Sequence, residues 1–450
     1  MGKLFGTDGV RGRAGEYPLD PSTVFRLGRA LVQSGRLSAL IGRDTRWSGL
    51  WIERVLQESI QAEGGEARLA GVITTPGVAY LTSKSGVDVG IVISASHNPA
   101  GDNGIKLFSS RGQKLSDEEQ GEIESLVLAD PAPQTVPSQP DTPDVGQLLH
   151  FDRDLVRQYV QFLGNDAGGS LEGLQVVLDC AHGAGFHVAP RVFRDLGAEL
   201  QVLNDTPDGD NINLQCGAVA PMGLSAEVVR RQACLGCALD GDGDRAILSD
   251  DRGRILDGDA ILYILARYLR RRKGVGSGRI VTTVMANLGL ERVLKREGLE
   301  VVRTPVGDRF VLEEMLRGGH SLGGEPAGHI LCPELGIAGD GIMVAVRISQ
   351  IVQEEKTSLA EMASGLERVP QVVHNQRVEK KVDFASVPEI QGEIDRVQKK
   401  LKRGRVLIRY SGTEPVVRIM LEGDDQVELD SLASQLGCVF RQHLGSEPNR

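Results

Sequence analysis

The sequence predicts an α/β protein: three similar α/β segments with mixed, mainly parallel sheets, then a smaller C-terminal α+β segment. Three observations predict it. The 450 residues are too many for one core when domains run to roughly 100–150 residues. A short apolar run, a Gly- and Asp-rich loop and a helical pattern recur along most of the chain, the rhythm of βαβ units. The last stretch breaks that rhythm: Arg405–Arg409, a loop at Tyr410–Pro415 and Val416–Glu422 read as a hairpin, followed by a helical pattern from about Val427 to His443.

In chain order, Leu37–Ile41 leads into Gly42-Arg43-Asp44-Thr45-Arg46, and Val87–Ile93 into Ser94-Ala95-Ser96-His97-Asn98-Pro99. The stretch Asp130–Gly146 holds Pro131, Pro133, Pro137, Pro140 and Pro143, so it suits neither a helix nor a central strand and reads as a linker or long surface loop. Gln175–Asp179 leads into Cys180-Ala181-His182-Gly183, and Leu235–Leu239 into Asp240-Gly241-Asp242-Gly243-Asp244-Arg245. Arg279–Met285 precedes a helix that stops at Gly298, with a strand at Leu299–Arg303. The expected segments are 1–150, 151–253, 254–365 and 366–450. In parallel sheets, ligands bind where strand C-termini open into loops, which is where these polar loops lie.

The net charge of −10 argues against nonspecific nucleic-acid binding, yet a local Arg cluster can still make a positive cleft for a small anion. The basic run Arg270–Lys273 ends a helical pattern before Gly274, where cations offset the helix dipole. Met1–Phe5 passes straight into Gly6-Thr7-Asp8-Gly9 without a leader, and no apolar run reaches the roughly 18 residues of a membrane span. Cysteines 180, 216, 234, 237, 332 and 438 are scattered, as suits a reduced, cytoplasmic protein. Cys234 and Cys237 have CxxC spacing without the second pair that zinc wants, so they read as part of a buried strand.

Five loops can carry chemistry. Asp240, Asp242 and Asp244 alternate with glycines after an apolar strand; their repulsion demands a counter-charge, and hard oxygen ligands suit Mg²⁺ or Ca²⁺. An EF-hand fails, because Arg245 and Asp251 occupy the positions of its Gly and Glu. Ser96 beside His97 reads either as a nucleophile or as a turn serine, and no Gly-x-Ser-x-Gly elbow supports acyl transfer. Arg409-Tyr410-Ser411-Gly412-Thr413-Glu414-Pro415, with Arg418 beyond, fits a phosphate cradle or a hairpin turn. Glu325, in Gly323-Gly324-Glu325-Pro326-Ala327-Gly328-His329, could bond vicinal sugar hydroxyls or simply mark a strand end. Arg11, in Phe5–Gly12, could reach a phosphate from a glycine-rich loop.

Together these motifs resemble one family, the α-D-phosphohexomutases, over essentially the whole chain. Gly6-Thr7-Asp8-Gly9-Val10-Arg11-Gly12, Ser94–Pro99, Asp240–Arg245 and Arg409–Pro415 carry the resemblance in order. Met285–Glu291 and Val306-Gly307-Asp308-Arg309 look like its bacterial glucosamine-phosphate branch. The resemblance implies four domains around a central cleft. It implies that Ser96 is a phosphoserine and that Ser96, Asp240, Asp242 and Asp244 ligate Mg²⁺. Lys106, His97, Arg11 and His329 become the acid–base candidates. Arg245, Asp308, Arg309 and Glu325 would bind substrate, and Arg409, Ser411, Gly412, Thr413 and Arg418 would grip its non-reacting phosphate. The implied reaction interconverts hexosamine 6- and 1-phosphates through a 1,6-bisphosphate, toward UDP-N-acetylglucosamine. The implied partners are a phosphosugar, an activating kinase or autophosphorylation, and a second copy in a homodimer, with neither nucleic acid nor membrane. The rivals are a phosphomannomutase or phosphoglucomutase on the same scaffold, a non-catalytic sugar-phosphate binder, and a phosphatase-like hydrolase. Three positions depart from the family pattern: Ala327 replaces Ser or Thr in the sugar loop, His182 replaces Asn, and Val219 replaces a hydroxyl residue.

Overall fold

The computed structural model of the chain describes residues 4–6, 8–131, 145–272, 277–335, 337–410 and 415–445. Most of the expected Pro-rich linker, residues 132–144, lies outside the described residues, as does the tip of the C-terminal hairpin at 411–414.

Three five-stranded sheets repeat one plan. The first contains β1 (Val10–Arg13), β2 (Ser38–Arg43), β3 (Glu66–Val72), β4 (Val89–Ile93) and β5 (Asp102–Ser109), in the order β1-β5-β4-β2-β3. The second contains β6 (Gln175–Asp179), β7 (Glu199–Leu203), β8 (Leu235–Leu239), β9 (Ala246–Asp250) and β10 (Ile255–Leu256), in the order β10-β9-β8-β6-β7. The third contains β11 (Arg279–Thr283), β12 (Glu300–Thr304), β13 (Gly323–Gly324), β14 (Ile330–Cys332) and β15 (Ile337–Ala338), in the order β12-β11-β13-β14-β15. Each has two parallel pairs on one side and two antiparallel pairs on the other. The strand that enters a functional loop is therefore followed by one that turns straight back beside it. Only the outer strand differs in origin: β1 comes from the N-terminal side of its segment, whereas β10 and β15 follow the hairpin. The fourth sheet is antiparallel, with β16 (Gln371–Arg377), β17 (Arg405–Tyr410) and β18 (Val416–Glu422) in the order β16-β18-β17.

Local sequence explains these elements. Every residue of β4 and β8 is buried, so both are continuous apolar runs without the alternation of a half-exposed strand. Helix Thr75–Ser85 starts where the Thr74 hydroxyl accepts from Gly77 N–H, carries Pro76 in its first turn and stops at left-handed Gly86. Helix Asp117–Ala129 opens with a reciprocal Ser116–Glu119 capping box.

One apolar core runs through the first three segments. Leu40 and Val92 of the first sheet, Leu178 and Leu235 of the second, and Ile342 and Val346 of helix Gly341–Glu355 all belong to it, with Tyr159 of helix Arg153–Ala167 between them. The Tyr159 hydroxyl donates to Asp340 Oδ2 at 2.5 Å, and Asp340 caps the start of helix Gly341–Glu355. The C-terminal segment keeps a separate core around Ile419, Leu421 and Phe440. Its link to the third segment is polar: Leu288 N donates to Glu422 Oε1 at 3.0 Å, and Arg405 Nη2 donates to Ala286 O at 2.9 Å. Among the described residues, no helix is long and apolar enough to cross a membrane.

Asn287 joins these last two segments and depends on a buried acid. Its side chain accepts from Gly289 N and Val369 N, while its own N–H donates to Asp259 Oδ2 at 2.8 Å. Burial, with Asp257 adding to it, pushes the Asp259 carboxyl up to about 7. Asp259 thus holds its proton more tightly folded than unfolded, and its ionisation takes stability away as pH rises from about 4 to about 7. Asp259→Asn keeps the acceptor oxygen without the charge. Thermal midpoints measured across a pH series should show the variant gaining on the parent up to about pH 7 and the gap then levelling off.

Candidate active site

The serine loop follows β4 and is held from beneath. Ser94 Oγ donates to Asp44 Oδ2 at 2.5 Å and accepts from Ser96 N at 2.9 Å. Asp44 pairs with Arg46, and both side chains are fully buried. Arg46 Nη2 donates to the carbonyls of Ser96 (3.1 Å) and Asn98 (2.6 Å), and Asn213 Nδ2 adds a 2.9 Å bond to Ser96 O. Ser96 itself has φ of 51°, a left-handed backbone that costs a non-glycine residue about 1 kcal/mol or more. In this conformation its hydroxyl crosses the segment boundary, where Ser96 Oγ donates to Asp240 Oδ2 at 2.7 Å.

Asp240, Asp242 and Asp244 leave the end of β8 as a buried cluster, each offering a carboxylate oxygen within 4.8 Å of the others. Gly243 has φ of 72°, and a Cβ at Gly241 would stand 2.6 Å from Ser96 O, so the two glycines allow the turn and the close approach of the loops. The counter-charge is Lys106, buried on β5. Its Nζ lies 2.9 Å from Asp242, 3.5 Å from Asp244 and 3.4 Å from Asp8. Burial alone would lower the Lys106 pKa; the three carboxylates outweigh it and hold the ammonium charged. Asp242 is likewise held below the usual carboxylate range: burial would raise it, but Lys106 and a 2.6 Å bond from Thr75 Oγ1 prevail. Asp240 goes the other way, pushed well up by burial and by its two neighbours. Arg245 Nε lies 3.6 Å from Asp244 and 3.9 Å from Asp240.

The donor set fits a hard divalent cation. Asp242 Oδ1 and Asp244 Oδ1 are buried and have no hydrogen-bond partner among the described residues, which is costly unless a cation takes them. Zinc or another soft ion is disfavoured by a set made only of oxygens.

Several of the other predicted residues gather around this seat. His97 Nδ1 is 3.4 Å from Ser96 Oγ, and burial together with Arg245 and Arg11 pushes the imidazole down to about 4. His329 stands between Asp244 (3.9 Å) and Asp308 (3.6 Å). Arg11 pairs with Asp8. Glu325 is buried and accepts from Gly307 N at 3.0 Å. Arg309 instead pairs with Asp117 and with Glu313 (2.7 Å), away from the triad. Arg409 and Arg418 are on the C-terminal sheet, directly opposite one another across β17 and β18. Burial and the neighbouring Arg418 together lower the Arg409 pKa. Ser411, Gly412 and Thr413 lie outside the described residues.

A cavity of about 400 Å³ adjoins the seat, lined in part by His97, Asp240, Arg245, Asp257 and two of the departing residues, Val219 and Ala327. His182 has φ of 49°, and its carbonyl accepts from Thr45 Oγ1 at 2.6 Å, so its main chain joins the first two segments. Sequence reasoning passed over Asp8, Thr75, Asp44, Arg46, Asn213 and Lys114. Asp8, Asp44 and Arg46 stood inside motifs already singled out; Thr75, Asn213 and Lys114 carried no local signal.

Family models match all four parts in order. The phosphoglucomutase/phosphomannomutase alpha/beta/alpha domains I, II and III match residues 2–133, 157–253 and 257–369, and the C-terminal domain matches 374–436. The phosphoglucosamine mutase of Moorella thermoacetica is 46% identical over 442 residues, which is 97% of this chain and 98% of its own. The chain belongs to the phosphoglucomutase/phosphomannomutase family. The phosphoglucosamine mutase of Symbiobacterium thermophilum is also 46% identical, over 99% of this chain and 100% of its own. Among solved structures, a family protein from Burkholderia thailandensis superposes with a TM-score of 0.76 at 23% identity, covering 98% of this chain and 97% of that one. Aspergillus fumigatus N-acetylphosphoglucosamine mutase, in complex with GlcNAc-6P and magnesium, superposes with a TM-score of 0.66 at 20% identity, covering 98% and 95%. At those identities the likeness is one of fold. The family membership makes this chain a phosphohexomutase, an isomerase.

Gly241 is where the acid loop comes up against the serine loop. Gly241→Ala should separate the serine and acid loops and cut mutase turnover by about 10²-fold, since displacements near 1 Å cost that much. Steady-state kinetics beside a melting curve checks this, with the folded fraction at the assay temperature expected to stay near that of the parent.

Proposed function

We infer that this phosphohexomutase interconverts glucosamine 6-phosphate and glucosamine 1-phosphate, with Ser96 carrying the phosphoryl group. The 2.7 Å bond from Ser96 Oγ into the buried triad carries the chemical part of the reading. Full-length relatives that bear the name phosphoglucosamine mutase support the choice of sugar.

In this reading, phosphorylated Ser96 donates its phosphoryl group to O1 of a 6-phosphosugar. A P–O1 bond forms, the P–Oγ bond breaks, and the O1 proton leaves to a neighbouring base. The resulting hexosamine 1,6-bisphosphate turns over in the cleft. Ser96 Oγ then attacks the 6-phosphorus, forming P–Oγ and breaking P–O6, and O6 regains a proton. Such transfers depend on in-line positioning and charge neutralisation more than on new covalent chemistry. Arg46 and Asn213 supply the positioning, because they pin the Ser96 carbonyl while the hydroxyl faces the seat.

Ser96, Asp240, Asp242 and Asp244 would hold Mg²⁺, which when bound neutralises the phosphoserine and polarises its phosphorus. Lys106, kept charged by its carboxylates, would serve as a fixed cation beside the transferring group and not as a resting base. His97, His329 and Arg11 border the same space and are the groups left to exchange protons with substrate hydroxyls. Arg245 offers charge to the transferring group. Glu325, fixed by Gly307 N, suits vicinal sugar hydroxyls. Asp308 and Arg309 flank that sugar loop. Arg409 and Arg418, with Ser411, Gly412 and Thr413, would hold the non-reacting phosphate, which is the 6-phosphate in one half-reaction and the 1-phosphate in the other. First phosphorylation of Ser96 would come from a bisphosphate, an activating kinase or autophosphorylation. A cytoplasmic setting is consistent with six free cysteines, and a homodimer is compatible with the reading.

Intact-mass and peptide mapping should find phosphate on Ser96, lost or exchanged on adding glucosamine 6-phosphate; no phosphate there under any condition would sink the mechanism. Rates with glucosamine, glucose and mannose 6-phosphates should favour glucosamine, and net phosphate release in place of isomer exchange would mean a hydrolase. Chelation should abolish turnover and Mg²⁺ restore it, whereas Asp242→Asn should raise the Mg²⁺ concentration needed for half-maximal rate by at least about tenfold.

A further inference from the structure

Six ionisable side chains from three segments close a ring beside the acidic triad. Lys114 Nζ lies 2.6 Å from Asp8 Oδ1 and 2.7 Å from Asp308 Oδ2. Asp308 Oδ2 is 3.6 Å from His329 Nε2, and His329 Nδ1 is 3.9 Å from Asp244 Oδ2. Lys106 Nζ completes the circuit, 3.5 Å from Asp244 and 3.4 Å from Asp8. The first and third segments meet across the Lys114–Asp308 contact.

Lys114 projects from a fixed base. Beyond β5 the chain doubles back: Ser109 N donates to Gln113 O at 2.7 Å and Leu115 N to Leu107 O at 3.1 Å, with Leu115 buried. Asp308 begins helix Asp308–Gly318, and the Val306–Arg309 loop enters that helix beside Glu325, which holds Gly307 N. The ammonium therefore connects a hydrogen-bonded turn of the first segment to the start of helix Asp308–Gly318 in the third.

We propose that Lys114 is a positioning residue that clasps Asp308 to Asp8 and thereby sets where His329 and the Val306–Arg309 loop stand over the acidic triad. The proposal deepens the mutase reading above and rests on it. The Lys114 side chain is 22% exposed and its ion pairs are part-buried, so losing it costs some stability as well, and the clasp is read from kinetics of the folded protein. Two residues stand between Lys114 and the triad on either side, Asp8 and Lys106 on one and Asp308 and His329 on the other.

The test uses full-length protein, with rates expressed per Ser96-phosphorylated molecule counted by intact mass. Lys114→Met should lower kcat for glucosamine 6-phosphate by about 10²-fold while KM stays within about threefold, because the group displaced is one that acts on bound substrate. Lys114→Arg should recover to within about fivefold, since a guanidinium can span both carboxylates. Asp308→Asn should cost about as much as Lys114→Met, and the double variant should be no worse than either single one. A Lys114→Met enzyme with the parent's kcat, a loss that appears only in KM, failure of Lys114→Arg to recover, or additive losses would each overturn the proposal. Hydrogen exchange without substrate provides a readout independent of turnover. Exchange across residues 305–311 should quicken in Lys114→Gln and hold steady in the parent; unchanged exchange overturns the clasp. If the parent protein exchanges no sugar isomers, the mutase reading fails, and the exchange result alone decides the clasp.

Discussion

Three carboxylates within 4.8 Å of one another in a buried site form the constraint on which the rest of this structure depends. Their mutual repulsion in a low dielectric is large, and the surroundings are arranged to answer it. Lys106 is buried among them from the neighbouring sheet, Arg245 follows in sequence, and Thr75 and Ser96 donate hydrogen bonds from the first segment. Each answer except Arg245 comes from another segment, so the site exists only when the first two segments are docked.

Docking is fixed by packing and by backbone. A shared apolar core through the first three segments sets their relation to within a side chain's width. Main-chain bonds then register the loops: Thr75 N donates to Asp242 O at 2.9 Å, Gly341 N to Gly243 O at 3.0 Å, and Ala246 N to Gly328 O at 3.1 Å. The repeated sheet plan explains why the chemistry converges. In each of the first two sheets the central strand that carries a functional loop, β4 or β8, is wholly buried, and its neighbour returns antiparallel, which turns the loop outward at one end. The C-terminal segment differs, with its own core and a polar junction through Glu422, Arg405 and Asn287. Its paired arginines are thereby carried on a separate body from the serine and the acids.

Much of this was legible in the chain. The alternation of apolar runs and Gly–Asp loops specifies strands that end in ligand loops, because burial and loop flexibility are local properties of residues. The Asp240–Asp244 spacing declares a cation seat for the same reason. Ser96 is the instructive case: alone it reads as readily as a turn serine, and its left-handed backbone and its aim at Asp240 become visible only across 144 positions of sequence. Arg309 is likewise placed only by the fold, which pairs it with Asp117, 192 positions earlier, and with Glu313 one helical turn on.

What the sequence determined by itself was the set of chemical parts and their family: strands, glycine turns, a serine, three acids and a phosphate-type loop. Which charges answer one another follows from the folded chain alone. Lys106, Lys114, Asp8 and Asp308 owe their roles to partners from other strands and segments, and the energy of a buried ion pair depends on distance and dielectric, neither of which is written in a local stretch of chain.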